Sequence, residues 1–299
     1  MQGILLWIAM MVFVGGVTRL TGSGLSITEW APILGAIPPT SSEAWDLSFK
    51  KYQETLQFKT LNATMTLGDF KVIYFWEYFH RLLARGLAIY FFLPWVWFVR
   101  KKVLSRTFAW KLLVGFLLGG MQGALGWIMV KSGLDGLPYV SHFRLAMHLS
   151  LALIIFGYFF LLFRSRFPRP SGPLTARPFS RKWIHFLGIW LALQIVWGAF
   201  VAGLKAGSMA PTFPKMLGSW IPESVHLWSV DPYLLNFFSS PILVHFLHRW
   251  SGVALWLIVL VATLRYPHIT SKRLTWALTL QMFLGIVTVW SGVHWSLAS

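Results

Sequence analysis

The stretch E77-Y-F-H-R-L-L-A-R85 places a carboxylate, an imidazole and two guanidiniums inside an otherwise apolar run. Each group has its own chemistry: Glu77 can take or give a proton, His80 can ligate a metal, and Arg81 and Arg85 can hold anionic oxygens. Glu77 precedes His80 by three residues, so on a helix both project from one face. Ionisable side chains in a membrane span are costly, rare and as a rule functional. The stretch predicts a binding site within a membrane segment.

The elements that must position it are membrane helices. Of the 299 residues, 56% are hydrophobic, against roughly 45–50% in soluble domains, and the mean hydropathy is +0.62. A span needs about 20 apolar residues, and seven runs qualify, near 3–19, 73–99, 110–130, 144–163, 184–204, 241–264 and 274–292. The first run lacks a basic leader and a small-residue cleavage site, which favours a retained helix over a signal peptide.

The net charge of +17 would suggest nucleic acid in a soluble protein, but its distribution among the loops removes that reading. Connections 100–111, 164–182 and 265–273 carry Arg and Lys with no acid, while every acid except Glu77 falls in the other loops. Basic loops face the cytoplasm, so the N-terminus is expected inside and segments 20–71 and 205–240 outside. Segment 20–71, with Trp30, Trp45 and the turn G35-A-I-P-P39, is too long for a plain connector. It either covers a site or lies along the interface on aromatic anchors.

Three internal matches point to duplication. H80-R81 corresponds to H248-R249, Q122-G-A-L-G126 to Q281-M-F-L-G285, and G15–G24 to G198–G207. The order is parallel, so the expected fold is an all-α polytopic membrane bundle of two pseudo-equivalent four-helix halves, 1–165 and 183–299. That plan needs an eighth helix, and the sequence reads as cut short of it.

His80 and His148 stand at similar depth on helices expected to be neighbours and could face each other across a flat ligand. No cysteine is present, which excludes thiolate sites and C-x-x-C-H haem attachment. The ligand that best fits is haem held by histidine, with a second site at His248. A lone membrane histidine more often bonds a backbone carbonyl or a hydroxyl, but recurrence of His-Arg argues against that. Arg81, Arg85 and Arg249 either snorkel to headgroups or pair with haem propionates. Glu77 corresponds to His245, and a carboxylate beside only one site points to chemistry in the first half, a salt bridge with Arg81 or Arg19 being the alternative. His245 is expected to pack or hydrogen-bond. His142, His185, His226 and His268 read as boundary or loop residues, and His294 as a remote candidate ligand beside His248.

G15-G-V-T-R-L-T-G-S-G-L-S-I-T-E-W30, N62-A-T-M-T-L-G-D-F-K71, E77-Y-F-H-R81, G203-L-K-A-G207, T212-F-P-K-M216, S219-W-I-P-E223 and H248-R249 together resemble the haem A synthase family, in order and over essentially the whole chain. The resemblance implies eight helices and oxidation of the C8 methyl group of haem O, by successive hydroxylations, to the formyl group of haem A for cytochrome oxidase. It implies substrate haem O in the N-terminal half, with His80 and His148 as ligands and Glu77 as the acidic residue important for activity. It implies haem b in the C-terminal half, with His248 as its first iron ligand. The family's fourth histidine follows a pattern that G285–S299 matches until the chain ends, with His294 in a proline's place.

Some bacterial members carry a cysteine pair in the outer loops; this chain lacks it, so thiol redox control is not expected. A bacterial cytoplasmic membrane, with haem sites near its outer face, is the implied location. Haem O synthase, the oxidase assembly machinery and a second copy of the chain are partners the resemblance leaves open, as is the electron acceptor. The rival reading is a di-haem b electron carrier without bond-forming chemistry. A repeat-built transporter fits less well, because transporter sites lie near the midplane.

Overall fold

The computed structural model describes residues 1–30, 34–134, 138–168, 180–265 and 269–292. Asp135, Arg169, Arg177, His268 and His294 lie outside the described residues. Seven long helices occupy the apolar runs: α1 (Gln2–Leu20), α2 (Leu67–Arg100), α3 (Arg106–Leu134), α4 (His142–Arg166), α5 (Arg181–Gly203), α6 (Pro241–Arg265) and α7 (Ile269–Trp290). Each contains a stretch long and apolar enough to cross a membrane, and among the described residues there is no β-strand. Large apolar side chains such as Leu6, Leu161, Leu264 and Trp276 stand exposed, as they do on helices whose outer solvent is hydrocarbon. The chain is a multi-pass, all-α membrane protein.

Several helices outrun their apolar cores. α2 begins six residues before the predicted start because Thr66 and Asp69 form a capping box there, each side chain accepting from the other's backbone N–H. His142 is the first residue of α4, His185 lies within α5, and His226 lies in the short helix Ser224–Leu227.

Two compact units divide after Pro168. In the first, α1 packs on α2 and α4, and α3 packs on the same two helices. That pattern closes a four-helix ring in which α2 and α4 are diagonal. One end of the ring is filled by Ile4, Ile8, Phe91, Leu112, Ile155 and Phe159. The Phe159 ring is seated so closely on Gly115 that a Cβ there would come within 2.5 Å of it.

Segment 20–71 closes the other end. Its helices Ser42–Gln53 and Leu56–Leu61 start on capping hydroxyls of Ser41 and Thr55. Fully buried Tyr52 stacks on fully buried Phe70, ring centroids 5.3 Å apart, and Trp45 packs edge-on against Phe70 and Tyr74. The short turn Ser23–Leu25 touches α1, α2 and α3. Leu25 lies on Gly133 of α3, where a Cβ would meet it at 2.7 Å. These aromatic side chains hold the segment to α2.

In the second unit, α5 and α7 each pack on α6. Hydrogen bonds from Trp256 to Thr279 (2.8 Å) and between Thr263 and Thr275 (2.8 Å) tie α6 to α7, the polar glue that membrane helices use in place of a hydrophobic drive. The short helices Ala206–Met209, Ser224–Leu227 and Asn236–Ser239 lie against α6. Buried Asn236 organises their connection by bonding both backbone groups of Val230 and the carbonyl of Tyr233.

Candidate functional site

Three histidines face glycines on the preceding helix. A Cβ on Gly15 of α1 would meet the Nε2 of His80 at 3.3 Å; one on Gly126 of α3 would meet the Cε1 of His148 at 3.1 Å; one on Gly198 of α5 would meet the Cε1 of His248 at 3.0 Å. Each imidazole thus lies on bare backbone, and each of the three histidines is half-buried rather than sealed into the packing. His80 and His148 sit on the diagonal helices of the first unit and within electrostatic reach of each other.

The ring nitrogens define what these histidines can do. The Nδ1 atoms of His148 and His248 are buried without a hydrogen-bond partner. A buried imidazole nitrogen without a protein partner is a candidate for a ligand that the chain itself does not supply. Among the described residues no group of three or more His, Asp or Glu side chains that could hold a metal ion converges. The orphaned nitrogens and the glycine cradles fit haem.

Glu77 is 3% exposed and fully engaged. One oxygen accepts from Arg81 Nη2 at 2.6 Å, and the other from the Ser26 hydroxyl at 2.7 Å and the Ile27 amide at 2.8 Å. Arg81 also donates to the carbonyls of Ile27 (3.2 Å) and Glu29 (3.1 Å). The salt bridge raised as an alternative for Glu77 is therefore formed, with Arg81 as partner. Its effect is to fasten the start of segment 20–71 to α2, one turn from His80.

The second unit repeats the device with different chemistry. Arg249 is buried and donates to the carbonyls of Ala210, Pro214 and Lys215, each at 3.4 Å. Its Nη2 lies 3.3 Å from His245 Nε2. Glu77 and His245 thus occupy one structural position, each against the arginine a turn further on. His245 bonds as the sequence suggests, although its Nδ1 is left unpartnered. Arg85 lies half-buried one turn beyond Arg81.

Other contributors escaped the motif reading. Gln122 Nε2 donates to the His148 carbonyl at 3.0 Å, and Gln194 Nε2 to the His248 carbonyl at 2.8 Å. The available signal was Q122-x-x-x-G126, which recurs at Q194-x-x-x-G198 as well as at Q281-x-x-x-G285. Neither of two sizeable surface cavities is lined by these histidines. One, of about 730 Å³, is lined by Met1, Gln2, Phe108, Phe163, Arg166 and Phe167 at the far end of the first unit. The other, of about 330 Å³, is lined by α5 residues and Ser251.

Fold and site together define a polytopic helical membrane protein with His80 and His148 on diagonal helices of its first unit. The family model described as cytochrome oxidase assembly protein matches residues 1–299, and the chain belongs to that family. It is 42% identical to the heme A synthase of Nitrosospira multiformis, over 97% of this chain and 83% of the relative. It is also 42% identical to the heme A synthase of Rhizobium etli, over 98% and 82%, and 40% identical to that of a Bradyrhizobium species, over 97% and 82%. No solved structure matches.

Proposed function

We propose that the chain is a haem A synthase, an oxidoreductase that converts the C8 methyl group of haem O to a formyl group. The observation that carries this reading is similarity at about two residues in five, over nearly the whole chain, to relatives bearing that name. The geometry supports it: the first unit carries His80 and His148 on diagonal helices, with one end packed shut and the turn Ser23–Leu25 seated on three helices at the other.

In this reading haem O is the substrate of the first unit, with His80 and His148 as its ligands. Haem b is the cofactor of the second, with His248 as iron ligand. Bound haem b would supply one-electron chemistry. The apolar helix faces would take the macrocycle and the substrate's isoprenoid tail, and segment 20–71 would exclude water from the reacting methyl. Glu77 is paired with Arg81 and fixes segment 20–71 beside His80, a positioning role with proton transfer as its further candidate function. Three N–H donations from Arg81 go to Glu77 and the loop, and a guanidinium has five, so a propionate contact stays open to it. Arg249 and Arg85 are the corresponding candidates. The acid-free basic connections support a cytoplasmic N-terminus with both haem sites near the outer face, and the proposed location is the inner membrane of a bacterium.

The test is to express the protein with a haem O synthase in a host lacking haem A, then extract the haems and identify them by mass. Haem A or its hydroxylated intermediate is the expected product. Haem b and haem O bound unchanged would instead favour a di-haem electron carrier. A Glu77→Ala protein that binds both haems and converts haem O at an undiminished rate would remove the proton-transfer role.

A further inference from the structure

The Gln194 side-chain amide donates to the His248 carbonyl at 2.8 Å. A helix carbonyl already accepts from the amide four residues on, so the glutamine uses its second lone pair. Two further residues serve this contact. The Ser251 hydroxyl donates to Gln194 Oε1. Gly252 leaves room for the amide, since a Cβ there would lie 2.7 Å from Gln194 Nε2. A polar side chain between apolar helices is costly unless satisfied, and here glycine, serine and glutamine all converge on one backbone carbonyl. Gly198, one turn beyond Gln194, receives the ring itself.

We infer that Gln194 is a positioning residue for the haem-ligating imidazole: it fixes the rotation and register of α6 against α5, and with them the placement of the His248 ring that would hold the iron. The inference rests on the reading of His248 as a haem b ligand. Gln122 holds the His148 carbonyl in the same way in the first unit, at 3.0 Å, but its Oε1 is buried without a partner. The corresponding place in α4 is Leu151, three residues after His148, where α6 has Ser251. The cofactor imidazole is therefore clamped at both ends of its glutamine and the substrate imidazole at one. That difference suits a cofactor that stays and a substrate that must leave.

The experiment compares haem b-loaded full-length protein with Gln194→Leu, Gly252→Ala, Ser251→Ala and His248→Ala variants, using the low-spin ferric EPR signal, the haem midpoint potential and the rate of haem loss to apomyoglobin. Gln194→Leu is expected to shift the EPR signal and potential and to speed haem loss about tenfold, the scale at which a ligand's supporting hydrogen bond matters. Gly252→Ala keeps every polar atom, favours the helix, and should reproduce the shift by pushing the amide away. Ser251→Ala should give a smaller change in the same direction.

If Gln194→Leu fails to fold, Gly252→Ala decides alone. Wild-type spectra and retention in Gly252→Ala, or in a folded Gln194→Leu, overturn the inference. If His248→Ala retains the signal of the second site, the ligand assignment itself fails, an outcome distinct from the failure of Gln194.

Discussion

Arg81 holds Glu77 at 2.6 Å, and the same one-turn spacing sets Arg249 3.3 Å from His245 in the other unit. In both places the arginine beside a ligand-type histidine grips carbonyls of a connecting segment, Ile27 and Glu29 in one unit and Ala210, Pro214 and Lys215 in the other. The two units thus share a fastening and differ in its charge: anionic where the substrate is proposed to sit, an imidazole where the cofactor is.

Removing the carboxylate should therefore be felt first as lost structure. Glu77→Ala leaves Arg81, the Ser26 hydroxyl and the Ile27 amide without their shared acceptor, and breaking a buried pair of this kind costs about 3–5 kcal/mol. Limited proteolysis in detergent is expected to cut within residues 20–71 sooner than in wild type. Unchanged cleavage would show that the segment is held by its aromatic core alone.

The glycine cradles can be probed one at a time. Gly15→Ala and Gly126→Ala should displace imidazoles of the first unit, and Gly198→Ala that of the second. The added methyls would sit 3.0–3.3 Å from the rings, so each ring must move by a few tenths of an ångström. Haem content and optical spectra of the affected unit should change. Gly119→Ala and Gly157→Ala, with nothing within 4 Å of the new Cβ, should leave both unchanged and serve as controls on the same helix pair.

Arg249→Lys should not be tolerated as a conservative change. The guanidinium reaches three carbonyls and His245 together, a fork that one ammonium cannot reproduce. Faster amide hydrogen exchange within 206–216 is the expected result, with the first unit unaffected.

Tyr52 makes stability sensitive to alkali. Burial pushes its phenol above the ordinary value near 10, with a hydrogen bond from Asn62 acting the other way and the Glu77 charge adding to the rise. A group whose native pKa is raised stabilises the fold below its unfolded pKa and loses that contribution as pH climbs through the native one. Thermal melts should fall off above about pH 10. In Tyr52→Phe that fall should be shallower, at the cost of the hydrogen bonds to Gln57 and Asn62 at neutral pH, about 1 kcal/mol each.

Composition and loop charge were enough to read a membrane bundle of seven apolar helices, and the recurrence of His-Arg picked out His80 and His248, because these properties are local and additive along the chain. Helix limits were read less well at α2, where Leu67–Tyr74 mixes polar and apolar residues and only the capping of Thr66 marks the start.

What the chain alone determined was which residues are too costly to be idle in lipid: Glu77, His80, Arg81, His148, His248 and Arg249. Which way they face was decided by tertiary structure. A helix apolar on all sides carries no stripe that reports its rotation, so nothing in the linear pattern says that Gly15, Gly126 and Gly198 lie under imidazoles or that Gln194 grips the His248 carbonyl. Nor could it show that both oxygens of Glu77 are engaged, since Ser26 and Ile27 reach it only when segment 20–71 folds back over α2.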